Sequence, residues 1–162
     1  MDDVARRAGV GNATMYRHFP TRRELLVAVY AGEVEALRES GESLRKDGEP
    51  GKALFAWLRE FVSHVASKRE LALAIPDERG GRSELFGRWH EEMHSTVSEL
   101  LARAQEAGVI CADVGASDLL ALVNGVALAG ADDEQIERLL RIVRRGTDAR
   151  PSAEIRGEAE TD

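Results

Sequence analysis

The stretch VARRAGVGNATMYRHF, from Val4 to Phe19, decides the fold of this chain. A short segment with apolar residues at helical spacing ends at Gly9, a residue that tolerates the positive φ of a tight turn. A second short segment follows Gly11, with Met15 facing inward. Two short helices around a glycine turn are typical of a helix-turn-helix, whose second helix enters the DNA major groove.

The charge of the chain is unevenly distributed. The 162 residues carry a net charge of −7, which by itself argues against binding to nucleic acid. Residues 1–30, however, contain five arginines against three carboxylates, a net of +2. A basic head on an acidic body suits a module that faces phosphates. The alternative is that these arginines form an ordinary solvated surface.

The rest of the chain is predicted to be helical throughout, so the fold class is all-α. Thr21 and Glu24 form the pattern of a capping box, which begins a third helix running to about residue 44. Further helices are expected after Gly51, as a short piece at 71–75, along 86–107 and to about 145. Residues 76–82 are expected to form a loop.

A segment near the C-terminus, LLALVNGVALAGA at 119–131, is apolar almost all round. Ser117 or Asp118 is the expected cap of this helix. A helix with no polar face must be covered on every side. It is therefore either the central helix of a monomeric bundle or part of a contact with a second copy.

Composition places the protein in a reducing compartment. Cys111 is the single cysteine, so an internal disulfide is excluded, and a small hydrophobic role for it is favoured over a redox switch. The sequence contains neither an apolar run of membrane length nor a signal peptide in residues 1–20. We expect a cytoplasmic protein.

The segment His90-Glu-Glu-Met-His94 matches the zinc-protease pattern H-E-x-x-H. The two histidines lie one helical turn apart, so they could share a metal or contact an effector. The pattern fixes only three positions in a glutamate-rich chain, and no supporting third ligand is evident. We therefore expect a plain helix face, no bound metal, no cofactor and no enzymatic activity.

The stretch VARRAGVGNATMYRHFPTRRELL resembles the tetracycline-repressor (TetR) family of bacterial transcriptional regulators. The later phrase LLARAQEAGVICADVGASDLLALVNGVAL is similar to the family's dimerisation and effector domain. The resemblance implies a helix-turn-helix in residues 1–30, with its last helix continuing to about 46. An effector and dimerisation domain would span 47–146, and 147–162 would be a disordered tail.

The resemblance also implies which residues meet DNA. Asn12, Ala13 and Thr14 would approach base edges, and Arg17 a base or phosphate. Tyr16 and His18 would contact the phosphate backbone, although each has an alternative in local packing. Arg22 would take the place of the family's phosphate-binding lysine.

The chain departs from the family pattern in two ways. Gly11 stands where the family has a serine or threonine cap, a small loss for the helix. The family also has a complete helix before the segment at 2–8, and the sequence begins at Met1. The expectation is therefore a version that lacks this first helix, which leaves open a protein-interaction module without DNA binding.

Function follows from the resemblance. It implies a repressor that binds a palindromic operator in double-stranded DNA as a homodimer and is released by a small-molecule effector, with no membrane partner. The expected effector pocket combines large apolar surface with a few polar groups: Trp57, Phe61, His64, Phe86, Trp89, His90, Met93 and Asn124. The expected dimer interface comprises Leu119, Leu122, Val123, Val126, Ala127, Ala129, Ile136, Leu139, Leu140 and Val143.

Overall fold

The computed structural model describes residues 1–74, 81–130 and 132–149. In these ranges the chain forms seven helices: α1 (Asp2–Ala8), α2 (Asn12–His18), α3 (Arg22–Asp47), α4 (Pro50–Ala74), α5 (Gly81–Glu106), α6 (Ala116–Leu128) and α7 (Asp133–Thr147). Outside the helices, the described residues contain one isolated antiparallel bridge, between Ile110 and Asp148. The predicted all-α fold is confirmed.

The first two helices form the predicted helix-turn-helix. Gly9 ends α1 with a φ of 69°, in the left-handed region where a side chain would be strained. The backbone N–H of Val10 donates to the carbonyl of Ala5 at 3.0 Å, which closes the turn. Ala5 and Met15 are buried as the two helices pack on each other.

Helix α3 is a single continuous element that leads from the helix-turn-helix into the body of the protein. It begins with the predicted capping box, in which the Glu24 N–H donates to the Thr21 hydroxyl at 3.2 Å and the Thr21 N–H donates to the Glu24 carboxylate at 2.9 Å. The helix continues through Gly32 and Gly41 to residue 47, beyond the end predicted near 44.

The body is a helical bundle built around α4, which packs against α3, α5, α6 and α7. Its core is apolar and fully buried, with the largest such side chains being Trp57, Leu54, Leu58, Leu100, Leu119 and Leu120. The indole N–H of Trp57 donates to the carbonyl of Leu37 at 2.9 Å, which satisfies its polar group. The adjacent Gly41 is buried and permits this close approach of the helices.

Several helix boundaries differ from those predicted. Residues 71–74, expected to form a separate short helix, are the last turn of α4. Most of the expected loop of residues 76–82 lies outside the described residues, as does residue 75 of the expected short helix, and α5 already begins at Gly81. Helix α6 begins at Ala116, with Gly115 and not Ser117 or Asp118 in the capping position. The Asp118 carboxylate accepts the N–H of Gly115 at 3.2 Å, so it caps from within the first turn.

The predicted tail starts too early. Thr147 is a buried residue of α7, and its carbonyl accepts the N–H of Cys111 at 2.9 Å. The Cys111 thiol, half-buried, donates to the carbonyl of Asp148 at 3.2 Å. These contacts tie residues 147–149 to the connection between α5 and α6. The rest of the predicted tail lies outside the described residues.

Length and apolar character decide whether a helix can cross a membrane. None of the helices formed by the described residues combines the length and the apolar character needed to cross a bilayer.

Candidate functional site

The predicted DNA-contacting residues all lie on exposed surface of α2 and at the start of α3. These exposed positions are Asn12, Ala13, Thr14, Tyr16, Arg17, His18 and Arg22. Met15 is the buried residue of α2, so it fixes the helix on α1 while the opposite face remains free. The helix therefore presents the small side chains of Asn12, Ala13 and Thr14 at its N-terminal end and the basic residues Arg17 and His18 at its C-terminal end.

Acidic side chains of α1 organise the polar groups of this surface. The Tyr16 hydroxyl donates to the Asp2 carboxylate at 3.2 Å, and this bond raises the pKa of the Tyr16 phenol. Asp3 forms ion pairs with Arg6 and Arg7 on its own helix. Tyr16 is 44% exposed, and its bond to Asp2 holds the hydroxyl against α1.

A cavity of about 470 Å³ lies within the body, between α3, α4, α5 and α6. Seven of the eight residues predicted for an effector pocket line it: Phe61, His64, Phe86, Trp89, His90, Met93 and Asn124. The eighth, Trp57, does not. It is fully buried beside the cavity, stacked on Phe61 with ring centroids 5.5 Å apart and bonded to the backbone of α3.

Tyr30 lies at the centre of an aromatic wall on this cavity. Its ring centroid is 4.6 Å from that of Trp89, 5.4 Å from that of Phe86 and 5.4 Å from that of His64. Phe86 and Trp89 also meet edge to face at 5.2 Å. Rings that contact one another in this way fix each other's rotamers. The wall is therefore formed before any ligand arrives.

The cavity carries hydrogen-bonding groups on four helices. They are the phenol of Tyr30 on α3, the imidazoles of His64 on α4 and His90 on α5, and the amide of Asn124 on α6. Burial raises the pKa of the Tyr30 phenol, which keeps it protonated and able to donate. Apolar walls with a few polar groups are typical of small-molecule sites, and the volume falls in their usual range.

The two histidines of the HEEMH segment lie in different surroundings. His90 lines the cavity, whereas the Nε2 of His94 lies 3.1 Å from the Ser117 hydroxyl on α6. Among the residues that the structure describes, no group of three or more histidine, cysteine or carboxylate side chains is placed to hold a metal ion.

The predicted dimer interface is largely buried within the chain itself. Leu119, Val123, Val126 and Ala127 of α6 and Leu140 of α7 lie in the core of the bundle. Ile136, Leu139 and Val143 are half-buried against that core. The prediction is therefore wrong for the five core residues, because α4, α5 and α7 of the same chain already cover them. Leu122 and Ala129 remain exposed.

The outer faces of α6 and α7 expose three large apolar side chains, of which Leu122 was predicted for the dimer interface, whereas Leu128 and Ile142 were not. Leu122 and Leu128 are each 53% exposed, and Ile142 is 64% exposed. Gly125 lies on the same face of α6, where a side-chain carbon built on it would contact nothing within 4 Å. The position of Ile142 in the segment Arg141-Ile-Val-Arg-Arg145 was a usable signal, since one apolar residue interrupts a polar face.

Four lining residues of the cavity were also missed: Tyr30, Val34, Val65 and Gly87. Tyr30 and Val34 follow the apolar spacing of α3, a pattern that is equally typical of core residues. The signal that could have found Tyr30 is its hydroxyl, because a tyrosine on an apolar face needs a polar neighbour or an opening.

Comparisons with known proteins assign both halves of the chain. Residues 1–29 match the family described as bacterial regulatory proteins, tetR family. Residues 49–149 match the family described as transcriptional regulator SbtR-like, C-terminal domain. A comparison with curated proteins gives no match.

Solved structures are similar over most of the chain. A TetR transcriptional regulator from Streptomyces coelicolor is 35% identical with a TM-score of 0.79, covering 94% of this chain and 87% of that one. A TetR transcription regulatory protein from Mycobacterium vanbaalenii is 33% identical with a TM-score of 0.74, covering 91% and 81%. The TetR family regulator PfmR from Thermus thermophilus shares the fold at 17% identity and a TM-score of 0.61, covering 88% and 84%. The chain belongs to the TetR family of transcriptional regulators, which are not enzymes.

Proposed function

We propose that this regulator is a repressor that binds a palindromic operator as a homodimer and leaves it when a small molecule fills the cavity of the body. The observation that carries the proposal is the course of α3. This one helix begins at the DNA-facing surface with Arg22 and reaches the cavity with Tyr30, about 12 Å further along its axis. A ligand and an operator would thus act on the same rigid element.

The DNA-binding part of the proposal assigns residues 1–30 to the reading head, with its last helix continuing to about 46, and 47–146 to the body. Asn12, Ala13 and Thr14 would reach base edges in the major groove, where short polar and methyl groups discriminate bases. Arg17 and Arg22 would neutralise phosphates. The exposure of all five side chains supports this assignment.

In vitro selection from a random duplex library tests DNA binding without knowledge of the operator. We expect a two-fold symmetric sequence whose half-sites lie about one helical turn, or a multiple of it, apart. Arg17→Ala should weaken binding to the selected duplex and, because a symmetric dimer loses two phosphate contacts, reduce the salt dependence of log K by about 2. Arg88→Ala, which removes the same charge from an exposed site on α5, is the matched control and should leave both unchanged.

A chain that dimerises but selects no DNA would replace this proposal with the alternative, a helical interaction module. That outcome requires the selection to fail at low salt as well, where phosphate contacts are strongest.

The homodimer part of the proposal rests on the exposed apolar side chains of α6 and α7. Leu122, Leu128 and Ile142 would meet their copies across a two-fold axis, with Gly125 and Ala129 allowing the backbones to approach. Burying one half-exposed leucine contributes about 1 kcal/mol, and each contact occurs twice in a symmetric interface. Exposed apolar patches on neighbouring helices are typical of such interfaces.

Light scattering at micromolar concentration tests the dimer. The expected mass is twice the 17.7 kDa of one chain. The double variant Leu122→Glu, Ile142→Glu should yield a folded monomer, whereas Ala36→Glu, on an exposed position of α3, should remain dimeric. A monomeric parent protein would contradict the proposal.

Release by an effector would follow from differential binding. A ligand that contacts Tyr30 and Val34 more favourably in one orientation of α3 shifts the population toward that orientation. If the spacing of the two heads then no longer fits successive major grooves, operator affinity falls by the same differential free energy.

A further inference from the structure

We infer that the cavity takes an uncharged, planar aromatic molecule bearing hydroxyl or carbonyl groups, such as a hydroxylated flavone or quinone. The inference deepens the proposed effector site and rests on it. Three features carry it: the shape of the wall, the kind of polar groups around it and their distribution over the helices.

The wall favours a flat ligand. Tyr30, Phe86 and Trp89 pack with ring centroids 4.6 to 5.4 Å apart, and they line one cavity together. Aromatic rings gain most from offset stacking or edge-to-face contact with another ring. Because these three rings already hold one another in place, a planar ligand binds them without immobilising further side chains.

The same geometry disfavours a quaternary ammonium ion. Such a cation is recognised when several ring faces surround it at about 6 Å or less from each centroid. Here the rings fill the space between themselves, since each is in contact with its neighbours. They form a wall beside the cavity and not a cage around it.

Two of the polar groups, the Tyr30 phenol and the Asn124 amide, are neutral hydrogen-bonding groups suited to hydroxyls and carbonyls. The Tyr30 phenol donates, and its raised pKa keeps that proton in place. The Asn124 amide offers both donors and an acceptor. Neither the Tyr30 hydroxyl nor the Asn124 side chain bonds to another of the described residues, and both groups lie on the cavity. Each is therefore available to a ligand.

Their distribution disfavours a long alkyl chain. Tyr30, His64, His90 and Asn124 lie on four different helices around the cavity, so polar atoms face the ligand from several sides. An alkyl chain would displace water from the Tyr30 hydroxyl and the Asn124 amide without replacing its hydrogen bonds. A flexible chain also loses more rotational freedom on binding than a rigid ring system of similar bulk.

Calorimetric titration of the full chain, without DNA, tests the inference with three probes. They are chrysin (5,7-dihydroxyflavone), palmitate and tetrabutylammonium. We expect chrysin to bind one per chain, at least tenfold more tightly than either of the others. Chrysin is achiral, so its absorption band should acquire circular dichroism when the wall holds it in one orientation.

Two substitutions locate the site. Tyr30→Phe removes one hydroxyl, and Asn124→Leu replaces the amide with an apolar group of similar size. Each should weaken chrysin binding by roughly 3- to 10-fold, the fold-change of one net hydrogen bond. Gln135→Leu, on an exposed amide of α7, is the matched control and should bind like the parent. Far-UV circular dichroism confirms that each variant is folded.

The inference is overturned if palmitate or tetrabutylammonium binds as tightly as chrysin, if no probe binds, or if both substitutions leave chrysin affinity unchanged. DNA selection by the ligand-free protein tests the proposed function separately. A protein that selects a palindrome but prefers palmitate keeps the proposed function and loses the aromatic ligand. A protein that binds chrysin as expected but selects no DNA keeps the aromatic ligand and loses the proposed function.

Discussion

Two glycines of the same helix should respond oppositely to the same substitution. In Gly32→Ala the new methyl group meets nothing within 4 Å on the exposed face of α3. Alanine is favoured over glycine within a helix by about 1 kcal/mol, so this variant should be more stable than the parent. Gly41→Ala brings the same gain in helix propensity but places the methyl group inside the bundle.

At Gly41 the gain in helix propensity is opposed by the cost of steric overlap. A methyl group there would overlap Cγ2 of Thr96 and lie 3.2 Å from Nε1 of Trp57. Overpacking of this kind costs about 1–3 kcal/mol. Displacing the indole from the carbonyl of Leu37 would leave a buried N–H unsatisfied, at a cost of about 1–3 kcal/mol. After the gain in propensity of about 1 kcal/mol, these two costs together should destabilise Gly41→Ala by roughly 1–5 kcal/mol.

Urea unfolding followed by far-UV circular dichroism measures the difference. The protein concentration must be held constant, because the proposed dimerisation would make stability concentration-dependent. The free energies of unfolding of the two variants should differ by roughly 2–6 kcal/mol, with the parent between them. Equal stability of the two variants would refute the reasoning, since it would mean that α3 does not approach Trp57 and α5 as closely as the structure shows.

Three further perturbations follow from local contacts. Thr21→Ala removes the capping box with Glu24, so the free energy of unfolding should fall by about 1 kcal/mol and amide exchange in the first turn of α3 should accelerate; unchanged exchange would contradict this. Burial raises the pKa of Tyr30, so the folded state retains a proton that the unfolded state releases above about pH 10. Stability should therefore decline as the pH rises through that region, and Tyr30→Phe should decline less in urea unfolding at pH 9 and 10.5. Arg59→Ala breaks an exposed ion pair with Glu137 and should cost less than about 1 kcal/mol; a larger loss in thermal unfolding, or one that persists in high salt, would show that the pair is more than a surface contact.

The helix-turn-helix was predictable from sequence because its signals are local. A glycine in the left-handed conformation, a buried Met15 and a capping box at Thr21 each depend on residues within one or two turns. Most of the cavity lining was also predictable, since large aromatic residues with scattered polar groups on amphipathic helices rarely all pack as core.

Local signals could not predict which apolar residues of α6 lie in the core and which remain exposed. The sequence of α6 shows that every side must be covered, but it does not say by which neighbour. The structure covers Leu119 and Val123 with helices of the same chain and leaves Leu122 and Leu128 outside. Trp57 illustrates the same limit, because only the position of α3 decides whether its indole meets a backbone carbonyl or a cavity.

The capping box at Thr21 has a consequence for how such proteins can be recombined. Because Thr21 and Glu24 satisfy the start of α3 with their own groups, the helix does not depend on the preceding two helices for its first hydrogen bonds. At the junction between Pro20 and Thr21, the first two helices of a related regulator can therefore replace residues 1–20, while Arg22 and the rest of α3 stay with the body. The DNA sequence that is bound and the small molecule that is sensed can then evolve independently of each other.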